Sequence, residues 1–257
     1  MTIEEMRQKK KAKGYTDKQI AELSGVPIDT VQKIFTDEMT HPPYDTIQAL
    51  ERIFDRDMYI REEAEYSGHR QGSYTVEDYY ALPEEQRAEL IDGYFYDMSS
   101  PNMMHQEIVE DIVFQIRNYI EDRHGKCKVY FAPLDVRLNK DNRTIVQPDI
   151  IILCDESKRR KWGIMGAPDF VLEVVSPSTK NKDYALKAGK YMEAGVREYW
   201  VVDPYKKIVV VFDFEHEEKT TVLGMEQLIP VGIYHGDLKI AFDGILQTID
   251  EFDNLAE

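Results

Sequence analysis

Residues 144–153 read TIVQPDIIIL and residues 168–176 read PDFVLEVVS. Both runs are apolar enough for buried strands. Each is interrupted by a carboxylate, Asp149 behind Pro148 in the first and Glu173 at the centre of the second. An ionised carboxylate among Val, Ile and Leu is costly unless it is paired, hydrogen-bonded or bound to a cation. Opposed across neighbouring strands, Asp149 and Glu173 would offer hard oxygen ligands to Mg²⁺ or Mn²⁺, with a backbone carbonyl beside Glu173 as a further ligand. Each residue alone has a plainer reading: Asp149 ends a loop, and Glu173 pairs with a core arginine or faces solvent from an edge strand.

A lysine nearby tips the balance toward chemistry. In the helix expected from Thr179 to about Ala194, Tyr184, Lys187, Ala188, Tyr191 and Ala194 share one stripe, so Lys187 sits on the inward face. It either reaches past the stripe to water or points its ammonium at the metal site and the transition-state phosphate. Lys180 and Lys182, in the connecting loop, are alternatives, and Lys190 falls outside the stripe.

Working outward, ELIDGYFYDM (89–98) reads as a hairpin turning at Asp92-Gly93, after short helices expected at Thr75–Leu82 and Glu84–Ala88. Ile108, Val109, Ile112, Val113, Ile116, Tyr119 and Ile120 make one apolar stripe on a helix over 101–121. KVYFAPLDVRL (128–138) reads as a further strand, and EYWVVDP and KIVVVFDF (198–214) as two more. The expected fold is α/β, a mixed central sheet covered by helices. His105, at the head of the long helix, is either a general base or substrate contact, or a capping residue. Asp135 either joins the acidic group or pairs with Arg137 or Arg143.

The first 60 residues read differently. Thr16 is a candidate N-cap, Ile20 and Leu23 share a face, Gly25 supplies a tight turn, and Pro27 opens a second short helix with Val31 and Ile34 inward. A further helix follows Pro42 and Pro43. The stretch REEAEYSGHRQGS (61–73) has the composition of a linker. The reading is therefore three parts: residues 1–60, a linker over 61–73, and a large domain over 74–257.

Composition limits what partners fit. The chain carries 32 Lys+Arg against 48 Asp+Glu, a net charge of −16, which argues against broad nonspecific attraction to a phosphate backbone. Residues 1–60 hold nine basic and eleven acidic side chains, so nearly all of the excess acid belongs to the large domain. The charged N-terminus and short apolar runs predict a soluble, unsecreted, cytoplasmic protein with no membrane contact. Cys127 and Cys154 show no metal-ligand spacing and are expected to be plain thiols in a reducing compartment. No GxxxxGK[ST] loop is present, so an ATP-driven motor within this polypeptide is not expected.

Two resemblances sharpen the reading. YTDKQIAELSGVPIDTVQKIF (15–35) with PPYDTIQALERIF (42–54) resembles the lambda-repressor-type helix-turn-helix family, which makes Pro27–Phe35 the recognition helix and Thr30, Gln32 and Lys33 its base-reading side chains. A small helical bundle for protein contact is the alternative. Residues 73–246 resemble the restriction-endonuclease family written Uma-two, within the PD-(D/E)XK nuclease superfamily. The likeness runs through ELIDG, the His105 helix, APLDVRL, VQPDI, FVLEVVSPST, the spacing of Asp183, Lys187 and Tyr191, and AGVREYWVVDP. It implies a restriction-endonuclease-like fold and divalent-metal phosphodiester hydrolysis, with Asp149 and Glu173 as metal ligands and Glu89 as an added acidic member. The superfamily's E-x-K pattern would put lysine at position 175, where this chain has Val175. The family resemblance moves that lysine to the following helix, at Lys187.

The expected function is a Mg²⁺- or Mn²⁺-dependent endonuclease directed to DNA by the helix-turn-helix, with Glu89, Asp149, Glu173 and Lys187 catalytic. A homodimer is expected by analogy. The alternative is a DNA-binding transcriptional regulator with a degenerate, non-catalytic nuclease-like domain. A third reading is a protein-contact module serving a nuclease that acts on RNA or branched DNA.

Overall fold

The computed structural model describes residues 71–255 apart from 84–85, 139–140, 177–181 and 217–218. Before them it describes residues 3, 6, 7, 10, 16–24, 26–36, 39, 42, 46, 47 and 50. The chain divides into two units, Met1–Ala64 and Glu65–Glu257. Gly25, Pro43, Lys180 and most of the expected linker lie outside the described residues, as does the side chain of Lys182.

In the first unit, α1 (Asp17–Ser24) and α2 (Ile28–Phe35) form where apolar residues recur at helical spacing. Ile20, Val26, Val31 and Ile34 are buried together with Met6 and Leu50. Pro27 precedes α2, where its missing N–H costs no helical hydrogen bond. Gln32 and Lys33 are exposed on the opposite side and Thr30 is half-buried.

The second unit is built on a six-stranded mixed sheet. Its strands are β3 (Lys128–Phe131), β5 (Ile150–Leu153), β7 (Phe170–Val174), β8 (Glu198–Asp203), β9 (Ile208–Asp213) and β10 (Lys219–Gly224), in the order β10-β9-β8-β7-β5-β3. β7 and β8 run parallel and the other neighbours antiparallel. Because side chains alternate along a strand, each strand feeds two cores. Ile150, Ile152, Phe170, Leu172, Val174 and Trp200 pack with the stripe of α4 (Met103–Asp122) and with α6 (Asp243–Asp253). Ile151, Leu153, Val171, Val175, Tyr199 and Val201 pack with Ala188 and Tyr191 of α5 (Ala188–Ala194). Glu173, between Val171 and Val175, therefore lies on the α5 face.

Smaller pieces extend the frame. Thr75 caps α3 (Val76–Tyr80) in a reciprocal arrangement with Asp78. β1 (Ala88–Ile91) and β2 (Tyr94–Asp97) form the expected hairpin, with Asp92 and Gly93 both at positive φ, as a two-residue turn requires. Ala88 thus begins a strand and does not end a helix: all four residues of β1 are buried, and pairing with β2 overrides the helical propensity of the preceding run. β4 (Asp135–Arg137) pairs in parallel with β6 (Gly163–Met165), and β11 (Ile229–Pro230) with β12 (Lys239–Ile240).

Two of the expected strands are each divided. KVYFAPLDVRL becomes β3 and β4, separated at the cis Ala132–Pro133 bond, where proline has no N–H for a ladder. In TIVQPDIIIL, Ile145 and Val146 bridge to Leu90 and Val136, and only after Pro148 does β5 begin. Cys127 and Cys154 are not free thiols: they form a disulfide. The Lys128–Leu153 pairing of β3 with β5 sets them opposite each other, a proximity that their separation in sequence conceals.

Gly163 is required by close packing. A Cβ there would lie 2.2 Å from the Asp135 carbonyl oxygen, at a backbone φ of +157°. Gly163→Ala is expected to lose about 2–3 kcal/mol as β6 is pushed off β4. A lower urea midpoint with an unchanged slope would register it.

Candidate active site

The antiparallel pairing of Ile150 with Leu172 brings Asp149 and Glu173 to the same end of β5 and β7. Asp149 Oδ2 accepts the Val174 N–H at 2.7 Å and lies 3.1 Å from His105 Nε2. The histidine is delivered by α4, whose N-cap Asn102 accepts the His105 N–H at 2.8 Å. Burial works against the imidazolium, but the Asp149 carboxylate outweighs it and holds the His105 pKa above its usual value.

Lys187 closes a π-helical turn (Lys182–Lys187) that runs directly into α5. Its Nζ donates to Glu173 Oε1 at 2.7 Å, lies 2.8 Å from Glu89 Oε1 and 3.7 Å from Asp183 Oδ1. One turn on, Tyr191 donates its hydroxyl to the same Glu173 Oε1 at 2.7 Å. The i, i+4 spacing of Asp183, Lys187 and Tyr191 is thus spent on one cluster. Burial pushes the Glu173 pKa up to about 8, with Lys187 pulling the other way. Burial also opposes charge on Lys187, but Glu173 and Glu89 prevail and raise its pKa well above the usual lysine value.

Glu89 is fully buried on β1 and accepts the Gln147 N–H at 3.0 Å. β1 is held there by reciprocal backbone bonds between Leu90 and Ile145. Asp149, Glu173, Asp183, Lys187, His105 and Gln147 line one cavity of about 320 Å³, and Glu89 stands behind Lys187. Four residues singled out in the sequence, Glu89, Asp149, Glu173 and Lys187, therefore meet in one place. Thr30, Gln32 and Lys33 belong to the other unit.

Other expectations resolve individually. Asp135 pairs with neither Arg137 nor Arg143 and instead accepts from Tyr79 Oη at 2.8 Å and Gln147 Nε2 at 2.9 Å. Lys190 is committed to Asp92 and Glu193, both at 2.8 Å. Gln147 is a further member of the site: it joins Glu89, through its backbone, to Tyr79 and Asp135, through its side chain. Its place in VQPDI, two residues before Asp149, is the signal that could have found it.

The donor chemistry suits a hard divalent cation. Asp149 Oδ1 and Glu173 Oε2 accept no hydrogen bond among the described residues, while the other oxygen of each carboxylate is committed. Each acid thus keeps one oxygen for a ligand. Among the described residues no group of three His, Cys, Asp or Glu side chains is already gathered for a metal.

Comparison with known proteins adds the following. A family model described as "Putative restriction endonuclease" matches residues 76–240, and one described as "Helix-turn-helix" matches residues 4–60. An uncharacterized protein of Synechocystis is 30% identical over 118 residues, 45% of this chain and 58% of that protein, so under two thirds of that relative's length is spanned. A crystal structure from Anabaena variabilis, described as "a putative nuclease", superposes with a TM-score of 0.57 at 20% identity, covering 68% of this chain and 98% of that one. That likeness is one of fold. Among the described residues no helix is long and apolar enough to cross a membrane.

Proposed function

The chain belongs to the "Putative restriction endonuclease" family, and on that premise we propose that it is a divalent-metal-dependent endonuclease that hydrolyses DNA phosphodiester bonds and is directed to DNA by its helix-turn-helix. The observation that supports this most is the meeting of Asp149, Glu173 and Lys187 on one cavity wall. Asp149 and Glu173 would hold Mg²⁺ or Mn²⁺ through Oδ1 and Oε2. A cation bound there supplies an acidified water and neutralises charge on the phosphate.

The chain's own residues set up that chemistry. His105 and the Val174 N–H fix the Asp149 carboxylate. Tyr191 and Lys187 both engage Glu173 Oε1, which turns the other oxygen to the ligand. Glu173, Glu89 and Asp183 keep Lys187 protonated, so a positive charge stands beside the cavity for the phosphate. Thr30, Gln32 and Lys33 read bases from α2. We propose a homodimer, since cutting both strands of a duplex takes two such sites.

The test is calorimetric titration of Mn²⁺ into wild type and Asp149→Asn, followed by incubation of each with supercoiled DNA. The wild type should bind and nick; Asp149→Asn should nick about 10²–10³-fold more slowly while retaining DNA binding. One observation favours a second reading, a DNA-binding regulator with a non-catalytic nuclease-like domain: the Lys187 ammonium already sits between Glu89 and Glu173. Duplex retention with neither Mn²⁺ binding nor nicking by the wild type would select that reading.

A further inference from the structure

Away from the cavity the acidic surface is broken by residues 158–161, KRRK, the longest unbroken run of basic residues in a chain of net charge −16, followed directly by Trp162. The run is folded into a tight turn. Arg159 bridges to Ile164, and the Arg160 N–H donates to the Gly163 carbonyl at 2.8 Å. Lys158 is tied to the Ala167 carbonyl at 2.9 Å, and Arg160 donates to the Ser157 and Arg159 carbonyls. β6 then fixes the turn against β4, the close approach that Gly163 permits.

The charges on this turn are compensated only in part, by the exposed Asp155 and Glu156 just before it. Arg159 has a 3.6 Å pairing with Glu156, both side chains at least half exposed, which contributes little in water. Arg160 and Lys161 have no acidic partner among the described residues and both are exposed. Beside them stand two aromatic rings in mutual contact and open to solvent: Trp162 is 41% and Tyr80 51% exposed, edge to face at 6.5 Å.

This cluster is joined to the cavity by short links. Tyr80 packs on Tyr79, whose hydroxyl bonds Asp135 and receives Gln147 Nε2. Gln147 lines the cavity. Cations alone suit any polyanion, but cations interleaved with exposed ring faces suit a strand whose bases are unpaired, because a duplex keeps its base faces stacked on one another.

We propose that the Lys158–Trp162 turn binds an unpaired stretch of the DNA substrate, Arg159, Arg160 and Lys161 taking backbone phosphates while Trp162 and Tyr80 stack on a base. This rests on the DNA-hydrolysis reading above and adds where the strand lies. A nuclease so equipped would favour ends, flaps or displaced strands over intact duplex.

The test is binding of the full chain, in EDTA, to fluorescent oligothymidylate and to a blunt duplex, for wild type, Trp162→Ala, Trp162→Phe and the triple variant Arg159→Ala/Arg160→Ala/Lys161→Ala. Trp162→Ala should weaken single-strand binding about tenfold and leave duplex binding nearly unchanged, and Trp162→Phe should restore most of the loss. The triple variant should lower the slope of log K against log salt for the single strand by about 2. Unchanged single-strand affinity in Trp162→Ala would overturn the proposal, as would polyglutamate competing as well as oligothymidylate. Because no metal is present, these results are independent of whether Asp149 and Glu173 support cleavage.

Discussion

Lys187→Met should abolish cleavage and destabilise the metal-free protein by about 3–5 kcal/mol at neutral pH, the range expected when one member of a buried ionic cluster is removed. The ammonium is 3% exposed and is shared by Glu89 and Glu173, themselves 0% and 5% exposed at the side chain. Methionine fills its volume but leaves the carboxylates facing one another. Burial already raises the Glu173 pKa to about 8 with Lys187 in place, and its loss must raise it further. A carboxyl whose pKa is higher folded than unfolded stabilises the fold at acid pH and loses that contribution as pH rises. The deficit should therefore be small below the ordinary carboxylate range and grow up to and beyond pH 8. Mn²⁺ should return part of it at neutral pH, since a cation can again neutralise the acids. Thermal melts across pH, with EDTA or Mn²⁺, check all of this; a uniform loss at every pH would contradict it.

Glu173→Gln separates charge from shape. The amide oxygen can occupy the Oε1 position and still accept from Lys187 and Tyr191, while its NH₂ stands where Oε2 stood. That group cannot ligate a cation. The fold should survive, with a melting temperature near that of the wild type. Mn²⁺ binding should be lost and nicking should fall about 10²–10³-fold. Calorimetry and a plasmid-nicking time course on the same preparation read both effects. A variant that bound Mn²⁺ as the wild type does would remove Glu173 from the proposed ligand set.

The two cores could be read from the sequence because strand alternation and the stripe of α4 are local patterns. The place of Lys187 was legible for the same reason, through helical spacing to Tyr191. Long-range pairing was less accessible. His105 meets Asp149 only because α4 lies over the end of β5, 44 residues away in sequence, so no local signal separated a helix-capping histidine from a site histidine. Gln147 acts partly through its backbone, and any residue but proline would offer that N–H. β6 is three residues long and sits beside the basic turn, where neither period two nor period 3.6 has room to show. Ala88 lies in a strand where its local sequence favours a helix, because helical propensity is a weak preference that sheet burial overrides. The disulfide followed from register, which the hydrophobic pattern does not report.

Val175 is buried in the core beside the site, where the superfamily pattern would put a strand-borne lysine. Once the positive charge arrives from the neighbouring helix, that position is released to ordinary packing, and selection can fill it for volume alone. In this chain the charge reaches Glu173 from Lys187, a dozen positions beyond Val175. The site of this chain is therefore spelled out by the separations between Glu173 and the residues that reach it, 14 to Lys187 and 18 to Tyr191, and not by the tripeptide that begins at the acid.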